Sequence, residues 1–278
     1  MKCSNILIII VALTNHVDAS NILYISPLPA ISHYQMLEPL MVSLAERGHN
    51  ITVISHYPQK IKLQNYREID LRGTTEPYEL EFVSWGLIND LIDTFRYGGD
   101  YCELFVSLPV IQDFIKNENE KFDLIFVEAF DSDCYLGFVE RFKAPYILYS
   151  AMALPIWLSD WIYNPGEVAY VPDHMCRLSG RLEFLQRVEN VLCQTVLRGF
   201  YWFINQRRSV GIVNKYFGTD LEDLDAVKKN VSMIFLNSFH CVNGVRPYLP
   251  NVVELGGIHM KPEKPLPNVS FLFMFTGY

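Results

Sequence analysis

The sequence predicts an α/β fold built on a parallel sheet. Two strand–helix–strand units carry this prediction, one near the start of the chain and one in its middle. In each unit a helix connects two short apolar segments, and this is the connection that neighbouring parallel strands require. Of the 278 residues, 50% are hydrophobic and 19% are charged. The chain can therefore bury a sizeable core, and its composition is not that of a disordered protein.

The first unit begins with "NILYIS" (21–26), an apolar segment that ends at a proline and is predicted to be a strand. The next segment has apolar residues at helical spacing, and Gly48 is expected to end this helix. Pro39 should lie near the first turn, where its missing N–H is tolerated. The second strand of the unit is "ITVIS" (51–55).

Later elements follow the same pattern. The segment "KFDLIFVEAF" (121–130) is a nearly continuous apolar run, which is typical of a strand buried on both faces. The helix "YLGFVERF" and the strand "APYILYS" complete the second unit. Further strands are predicted at "YELEFVS", "SMIFLNS" and "VVELGGI", and helices at "INDLIDTF" and "CELFVSLPVIQDFIK". Residues 151–210 are rich in aromatic side chains, which either line an apolar ligand pocket or belong to the core and to a membrane-facing surface.

The first twenty residues, "MKCSNILIIIVALTNHVDAS", have the pattern of a secretory signal. Lys2 precedes an apolar stretch, Ile6–Leu13, and residues with the usual cleavage spacing follow. We predict a signal peptide at residues 1–19, cleaved after Ala19, and hence secretion or residence in the lumen of the endoplasmic reticulum. The alternative is a buried first strand. The apolar stretch is too short to span a bilayer, and the sequence predicts no other transmembrane helix.

Charge and cysteine content exclude several classes of function. The net charge is −8 and no long cluster of lysine and arginine occurs, so we do not expect nucleic-acid binding. Five cysteines follow the signal, without CxxC spacing, and this predicts buried thiols with a single disulfide and no metal site. Glycosylation sequons occur at Asn50, Asn230 and Asn268, of which the last two are the better candidates.

Two polar loops follow predicted strands. His33 comes after the first strand, and Glu128, Asp131 and Asp133 come after the strand at 121–127. Because parallel sheets place their chemistry at the carboxyl ends of the strands, these loops should face one crevice. An imidazole with a pKa of ~6.5 can act as a base near neutral pH when a carboxylate orients it. By itself, however, a histidine before a helix is more often a surface residue, and an acidic loop is usually solvated.

The stretch "NILYISPLPAISHYQMLEPLMVSLAERGHNITVIS" closely resembles the N-terminal half of UDP-glycosyltransferases, the insect-type membrane enzymes related to UDP-glucuronosyltransferases. The stretches "NYREIDLRG", "FDLIFVEAFDSDCYLGFVERFKAP" and "VRPYLPNVVELGGIHMKPEKPLP" agree with this resemblance, which extends to about Pro267. It implies the Rossmann-like N-terminal domain of a GT-B glycosyltransferase, with detoxification as the expected role. Residues 20–260 would form the acceptor-binding domain, and 261–278 a truncated linker or divergent tail.

The resemblance also implies roles for the polar residues. His33 would be the general base that takes a proton from the acceptor hydroxyl as it attacks the anomeric carbon of a UDP-sugar, with inversion. Asp133 is the preferred carboxylate partner, Glu128 is the second choice, and Asp131 is the third and is expected to be solvated. The UDP-sugar is a co-substrate, and no cofactor or metal is expected. The acceptor is expected to be small and lipophilic and to carry a hydroxyl.

The end of the chain departs from the family pattern. Relatives would continue into a second α/β domain with a His–Gly–Gly signature, whereas this sequence ends in "NVSFLFMFTGY" and has no glycine-rich loop to hold the donor pyrophosphate. We therefore expect a glycosyltransferase fragment that transfers glucose or glucuronate only when a donor domain is supplied. The alternative is a non-catalytic short form that binds lipophilic ligands or associates with full-length subunits. Ligand binding that survives His33→Ala would favour this alternative.

Overall fold

A computed structural model describes residues 19–60, 62–75 and 87–261 of the chain. Several sequence predictions lie wholly or almost wholly outside these ranges: the signal peptide, the strand "YELEFVS", the sequon at Asn268 and the tail at 261–278. Within the described ranges no helix is both long enough and apolar enough to cross a bilayer.

The described residues form one sheet of seven strands in the order β3-β2-β1-β4-β5-β6-β7, and every neighbouring pair is parallel. The strands are β1 (Asn21–Ile25), β2 (Asn50–Ser55), β3 (Tyr66–Asp70), β4 (Leu124–Glu128), β5 (Tyr146–Ser150), β6 (Met233–Leu236) and β7 (Val252–Glu254). This confirms the predicted parallel, Rossmann-like fold. The strand order reverses between β1 and β4, and ligands of such sheets bind in the crevice at this point.

Helices cover both faces of the sheet. They are α1 (Ile31–Glu46), α2 (Leu87–Ser107), α3 (Pro109–Lys116), α4 (Leu136–Phe142), α5 (Ile156–Trp161), α6 (Phe184–Phe200), α7 (Arg207–Phe217), α8 (Asp225–Lys229) and α9 (His240–Asn243). A π-helical turn, Tyr201–Gln206, joins α6 to α7, and a 3₁₀ turn, His174–Cys176, precedes α6.

Alternation along the strands divides the core into two clusters. On β1, Ile22 and Tyr24 point to the face that α1 covers, whereas Leu23 and Ile25 point to the face that α2 and the later helices cover. We call these the α1 face and the α2 face. Side chains from β4 and β5 alternate in the same way. As a result, successive residues of a strand pack against helices on opposite faces of the sheet.

The first helix differs from the sequence prediction at its start. It begins at Ile31, so His33 lies in its first turn, and Pro39 lies in its interior and not near its start. The helix accommodates Pro39 because Gln35, whose carbonyl would have accepted the missing N–H, is exposed to solvent. Gly48 follows the helix with a φ of 96°, as predicted for a C-terminal glycine.

The cysteine prediction was wrong in one respect. Two disulfides are present, Cys102–Cys134 and Cys176–Cys193, and Cys241 is an exposed free thiol. The first disulfide joins α2 to the segment between β4 and α4, and the second joins the 3₁₀ turn to α6. The pairing depends on how the helices pack, and this is not visible in the spacing of cysteines along the chain.

Candidate active site

His33 lies at the crevice where the strand order reverses. The strand β1 ends at Ile25, residues 26–30 turn the chain, and α1 starts at once. The backbone N–H of His33 donates to the carbonyl of Ala30 at 3.1 Å, which places the histidine in the first helical turn. Its side chain is 15% exposed, so the ring is held by the protein and yet remains accessible from the crevice.

Glu128 meets His33 from the neighbouring strand. It is the last residue of β4, whose register pairs Ile25 with Val127. Since Phe126 belongs to the α1 face, Glu128 two residues later points to the same face and lies beneath α1. Its Oε1 atom makes a hydrogen-bonded contact with Nδ1 of His33, and its side chain is fully buried. The structure thus pairs His33 with the second-choice carboxylate.

Tyr149 completes a chain of three polar side chains. It stands opposite Glu128 in the β4–β5 register, and its hydroxyl lies 3.2 Å from Oε2 of Glu128 and 3.1 Å from the carbonyl oxygen of Ile25. Both carboxylate oxygens of Glu128 are therefore engaged. Tyr149 was not identified from the sequence, although its position as the next-to-last residue of the predicted strand "APYILYS" was a signal that could have been used.

The loop after β4 supplies two further neighbours of His33. The ring of Phe130 meets the imidazole edge-on, with centroids 4.9 Å apart and planes at 82°. Asp131 was expected to be solvated, but it is fully buried. The reason is that α2 approaches the loop at Gly98, where a Cβ atom would lie 2.6 Å from that of Asp131. Asp131 is thus held in the interior, close enough for its charge to raise the pKa of His33.

Opposing effects determine the protonation of His33. Burial by itself lowers the pKa of the imidazole, because it penalises the charged form. The charge of Glu128, its hydrogen bond, and the charge of Asp131 act in the other direction, and the net result is a pKa above the ordinary value for histidine. The neutral ring, which can accept a proton, therefore becomes the main form only above this raised pKa, and Glu128 and Asp131 favour the protonated ring.

Asp133, the preferred partner from the sequence, does not reach His33. The chain crosses from the α1 face to the α2 face between Phe130 and Asp133, and Oδ2 of Asp133 lies 2.7 Å from Nζ of Lys228 and 2.5 Å from the hydroxyl of Tyr201. The cation of Lys228 also lies 4.8 Å from the ring centroid of Trp161. This buried ion pair corrects the predicted geometry, because the spacing of acidic residues in one loop does not show which face each one meets.

The aromatic segment is partly buried and partly exposed. Trp157, Trp161 and Tyr201 are buried in the core of the α2 face, whereas Tyr163 and Trp202 are exposed. Members of both groups line an open cleft of about 320 Å³ between α5, the end of α6 and α8. Across the described ranges, no group of three or more His, Cys, Asp or Glu side chains could hold a metal ion.

Comparison with known proteins gives consistent matches. The family model described as "UDP-glucoronosyl and UDP-glucosyl transferase" matches residues 94–276. The chain is 33% identical to "UDP-glucosyltransferase 2" of Dactylopius coccus and 27% identical to "UDP-glucuronosyltransferase 3A1" of Homo sapiens, in each case over 90% of this chain and 50% of the relative. The chain therefore spans about half the length of the curated relatives it matches. Among solved structures, it is 14% identical to UGT71G1 of Medicago truncatula complexed with UDP-glucose, with a TM-score of 0.44 over 93% of this chain and 56% of that one.

Proposed function

The chain belongs to the UDP-glucuronosyl and UDP-glucosyl transferase family, and on this basis we propose that His33 is the general base for transfer of a hexose from a UDP-sugar to a hydroxyl of a small lipophilic acceptor. The contact of His33 with the buried carboxylate of Glu128 is the observation that carries this proposal. The names of these two relatives, a glucosyltransferase and a glucuronosyltransferase, support glucose or glucuronate as the sugar.

In the proposed mechanism the two ring nitrogens of His33 have different tasks. In the neutral ring, Nδ1–H donates to Glu128, which leaves the lone pair of Nε2 for the acceptor hydroxyl. Nε2 takes the hydroxyl proton as the oxygen attacks the anomeric carbon. The bond from that carbon to the UDP oxygen breaks, UDP leaves with the electron pair, and the configuration inverts. The carboxylate of Glu128 stabilises the imidazolium that forms.

A chimeric enzyme tests this function directly. Because the chain spans about half of its relatives, we would exchange it for the segment that it matches in the Dactylopius glucosyltransferase. Transfer from UDP-glucose and UDP-glucuronate would be measured with phenol and steroid acceptors. We expect the chimera to transfer the sugar, and His33→Ala should lower the rate of transfer about 10²–10⁴-fold. Full activity in this variant would refute the role of His33, and a preference for charged, polar acceptors would refute the proposed acceptor class.

The exposed face of α6 supports a second proposal, namely contact with a membrane surface. Apolar side chains along one side of α6 and the following turn are exposed: Phe184, Leu185, Val188, Val191, Leu192, Val196, Trp202 and Phe203. Thr195 lies between them and donates its hydroxyl to the carbonyl of Val191 at 2.7 Å, so its polar group is already satisfied. We call this surface the α6 stripe. An apolar stripe of this length along one helix and the turn that follows it suits the interface of a bilayer.

The charges beside the α6 stripe favour a lipid surface as its partner. Residues 181–208 contain five arginines and two glutamates. Arg198 is paired with Asp160 and Arg208 with Asp100 and Glu103, so Arg181, Arg187 and Arg207 are the cations that remain for a lipid surface. Arg207 packs over the rings of Trp202 and Phe203, at 4.9 and 5.6 Å from their centroids. A basic border around an apolar stripe is the pattern that binds anionic headgroups.

We also propose that the protein matures in the secretory pathway. The pattern of its first nineteen residues supports this proposal, and so do its two disulfides, because disulfides persist in oxidising compartments. Asn230, which directly follows α8 and is exposed, is an accessible glycosylation sequon. Expression in insect cells should give a mature chain that begins at Ser20, and its mass should fall after enzymatic deglycosylation. A mature chain that still begins at Met1 would contradict this proposal.

A further inference from the structure

We propose that Tyr149 is a positioning residue for the site: its hydroxyl holds the carboxylate of Glu128 and limits how much negative charge this carboxylate presents to His33. The inference rests on the proposed role of His33 as a base. It adds a third side chain to the pair and assigns to it a measurable effect on the titration of His33.

Strand register fixes the position of Tyr149. Glu128 and Tyr149 are direct partners in the β4–β5 pairing, so both side chains leave the sheet on the α1 face, next to each other. Tyr149 is fully buried, and its ring packs against that of Tyr24 with centroids 5.4 Å apart. A phenol held in this way has little freedom to turn, and its oxygen stays between β1 and Glu128.

The hydroxyl of Tyr149 has one proton to donate. The carbonyl oxygen of Ile25 lies at 3.1 Å and Oε2 of Glu128 at 3.2 Å, and the side chains of Ser26 and Tyr24 also interact with this hydroxyl. A hydrogen bond to a charged acceptor is stronger than one to a neutral acceptor, so the proton is drawn to the carboxylate. Burial and the charge of Glu128 raise the pKa of Tyr149 well above its ordinary value, and the phenol therefore remains a donor across the working pH range.

Several titratable groups surround this chain of side chains. Glu128 faces His33 from α1, Tyr149 from β5 and Tyr24 from β1, and the charge of Asp131 acts on His33 from the loop after β4. Tyr101 on α2 in turn interacts with Asp131. Replacing Tyr149 by Phe removes one donor and leaves each of these charges in place.

The expected effect has a definite sign. Without the donated proton, more of the carboxylate's negative charge faces Nδ1 of His33. The imidazolium is then better stabilised, so the pKa of His33 should rise further in Tyr149→Phe. We expect a shift on the order of half a pH unit, because the imidazole senses only part of the free energy of the hydrogen bond that the carboxylate loses. In a transfer assay the acid limb of the rate profile should move to higher pH by the same amount.

The strand itself offers a matched control. Tyr146 lies three residues earlier on β5, is equally buried, and donates its hydroxyl to the carbonyl of Val227 at 2.8 Å on the α2 face. Tyr146→Phe removes a buried hydroxyl from the same strand, but it does not touch Glu128. This variant separates a general loosening of β5 from a specific effect on the carboxylate.

The experiment is an NMR titration of the 278-residue chain. The seven histidines would be followed by their Cε1–Hε1 signals, with that of His33 assigned by its loss in His33→Gln. A rise in the His33 pKa in Tyr149→Phe but not in Tyr146→Phe supports the inference. An unchanged or lower pKa in Tyr149→Phe, or equal shifts in both variants, overturns it.

A second measurement needs only the wild-type chain and remains available if Tyr149→Phe does not fold. The buried hydroxyl proton of Tyr149 should exchange slowly and give a downfield resonance that moves as His33 titrates. A resonance that stays fixed through this titration would overturn the inference. The outcomes also separate the two proposals. A raised His33 pKa in Tyr149→Phe together with full transfer by the His33→Ala chimera refutes His33 as the base, although the effect of Tyr149 on the His33 pKa stands. An unchanged His33 pKa together with loss of transfer in the His33→Ala chimera refutes only the inference on Tyr149.

Discussion

Nζ of Lys228 lies 2.7 Å from Oδ2 of Asp133, and both side chains are almost fully buried on the face of the sheet opposite to His33. The backbone N–H of Asp133 is also held, by Ser209 at 3.2 Å and by Asn205 at 3.3 Å. Asp133 thus anchors one end of the loop whose other end carries Phe130 against His33. The acidic residue that the sequence favoured as the partner of His33 is therefore held in a buried ion pair away from it.

Removal of Lys228 should destabilise the protein strongly. In Lys228→Met, Asp133 keeps a buried charge without its cation, and we expect a loss of about 3–5 kcal/mol in the free energy of unfolding, measured by urea denaturation. The double variant Lys228→Met with Asp133→Asn should recover much of this loss. Lys229→Met is the control. Lys229 is the next residue along the chain and is exposed, so its replacement should change the free energy of unfolding by less than about 0.5 kcal/mol. Equal losses of stability in Lys228→Met and Lys229→Met would contradict the prediction.

The two candidate carboxylates can be distinguished by their effects on His33. Glu128→Gln removes the charge that raises the pKa of His33 and leaves the burial that lowers it, so the pKa should fall. Asp133→Asn should leave the pKa of His33 nearly unchanged, because Asp133 lies on the other face of the sheet. Titration of the His33 ring by NMR in both variants checks this. A larger shift in Asp133→Asn would restore the original sequence prediction.

The stability that His33 contributes should depend on pH with a definite sign. Its pKa is higher in the folded chain than the ~6.5 of an unfolded one. The stabilisation is therefore fully present below that unfolded value and is lost as pH rises through the folded pKa. Urea denaturation of wild type and His33→Gln should show a larger difference at pH 5.5 than at pH 8.5.

The contribution of His56 to stability changes with pH in the opposite direction, and the comparison of wild type with His33→Gln must allow for it. Burial, its largest influence, lowers the pKa of His56 despite hydrogen bonds to the carbonyls of Pro27 and Leu71. Its contribution is present above the unfolded pKa and is lost as pH falls. Since wild type and His33→Gln both contain His56, this contribution cancels in their difference. A difference that grows with pH would contradict the assignment for His33.

Loss of the Cys102–Cys134 disulfide should lower stability more than loss of Cys176–Cys193. The first closes a sequence separation of 32 residues and the second one of 17, and chain entropy gives about 4 and about 3 kcal/mol respectively. Paired serine variants would be compared by thermal denaturation. Cys241→Ser, which changes an exposed free thiol, is the control and should have little effect. A reversed order would show that local strain or packing outweighs chain entropy.

Binding to vesicles should depend on the α6 stripe. We expect the chain to float with vesicles that contain phosphatidylserine and to bind pure phosphatidylcholine vesicles less well, because the arginines bordering the stripe attract anionic headgroups. Leu192→Asp with Phe203→Asp should reduce flotation at least tenfold. Asp substitutions at two exposed residues of α9 and the segment after it, Val242 and Val245, are the control. Equal flotation of all variants would refute a membrane role for this helix.

Much of the architecture could be predicted because the strands are short, apolar and separated by helices. The run at 121–130 and the unit around "ITVIS" needed little tertiary context, and His33 was placed correctly after the first strand. The strand Tyr66–Asp70 was not predicted as a strand, because as an edge strand it alternates little and is only partly buried. The start of α1 was placed too late because residues 31–33 are exposed or half-buried and add little to the apolar pattern.

The sequence by itself determined that the protein has a parallel sheet and that a histidine and an acidic loop stand at its carboxyl edge. These features follow from local hydrophobic periodicity and from the geometry of strand–helix–strand connections. Only the tertiary structure decided that Glu128 meets His33, that Asp133 meets Lys228, and that Tyr149 closes the chain of polar side chains. The reason is that side chains alternate between two faces along a strand, and the partner of each is set by the register of a different strand or by a helix distant in the sequence.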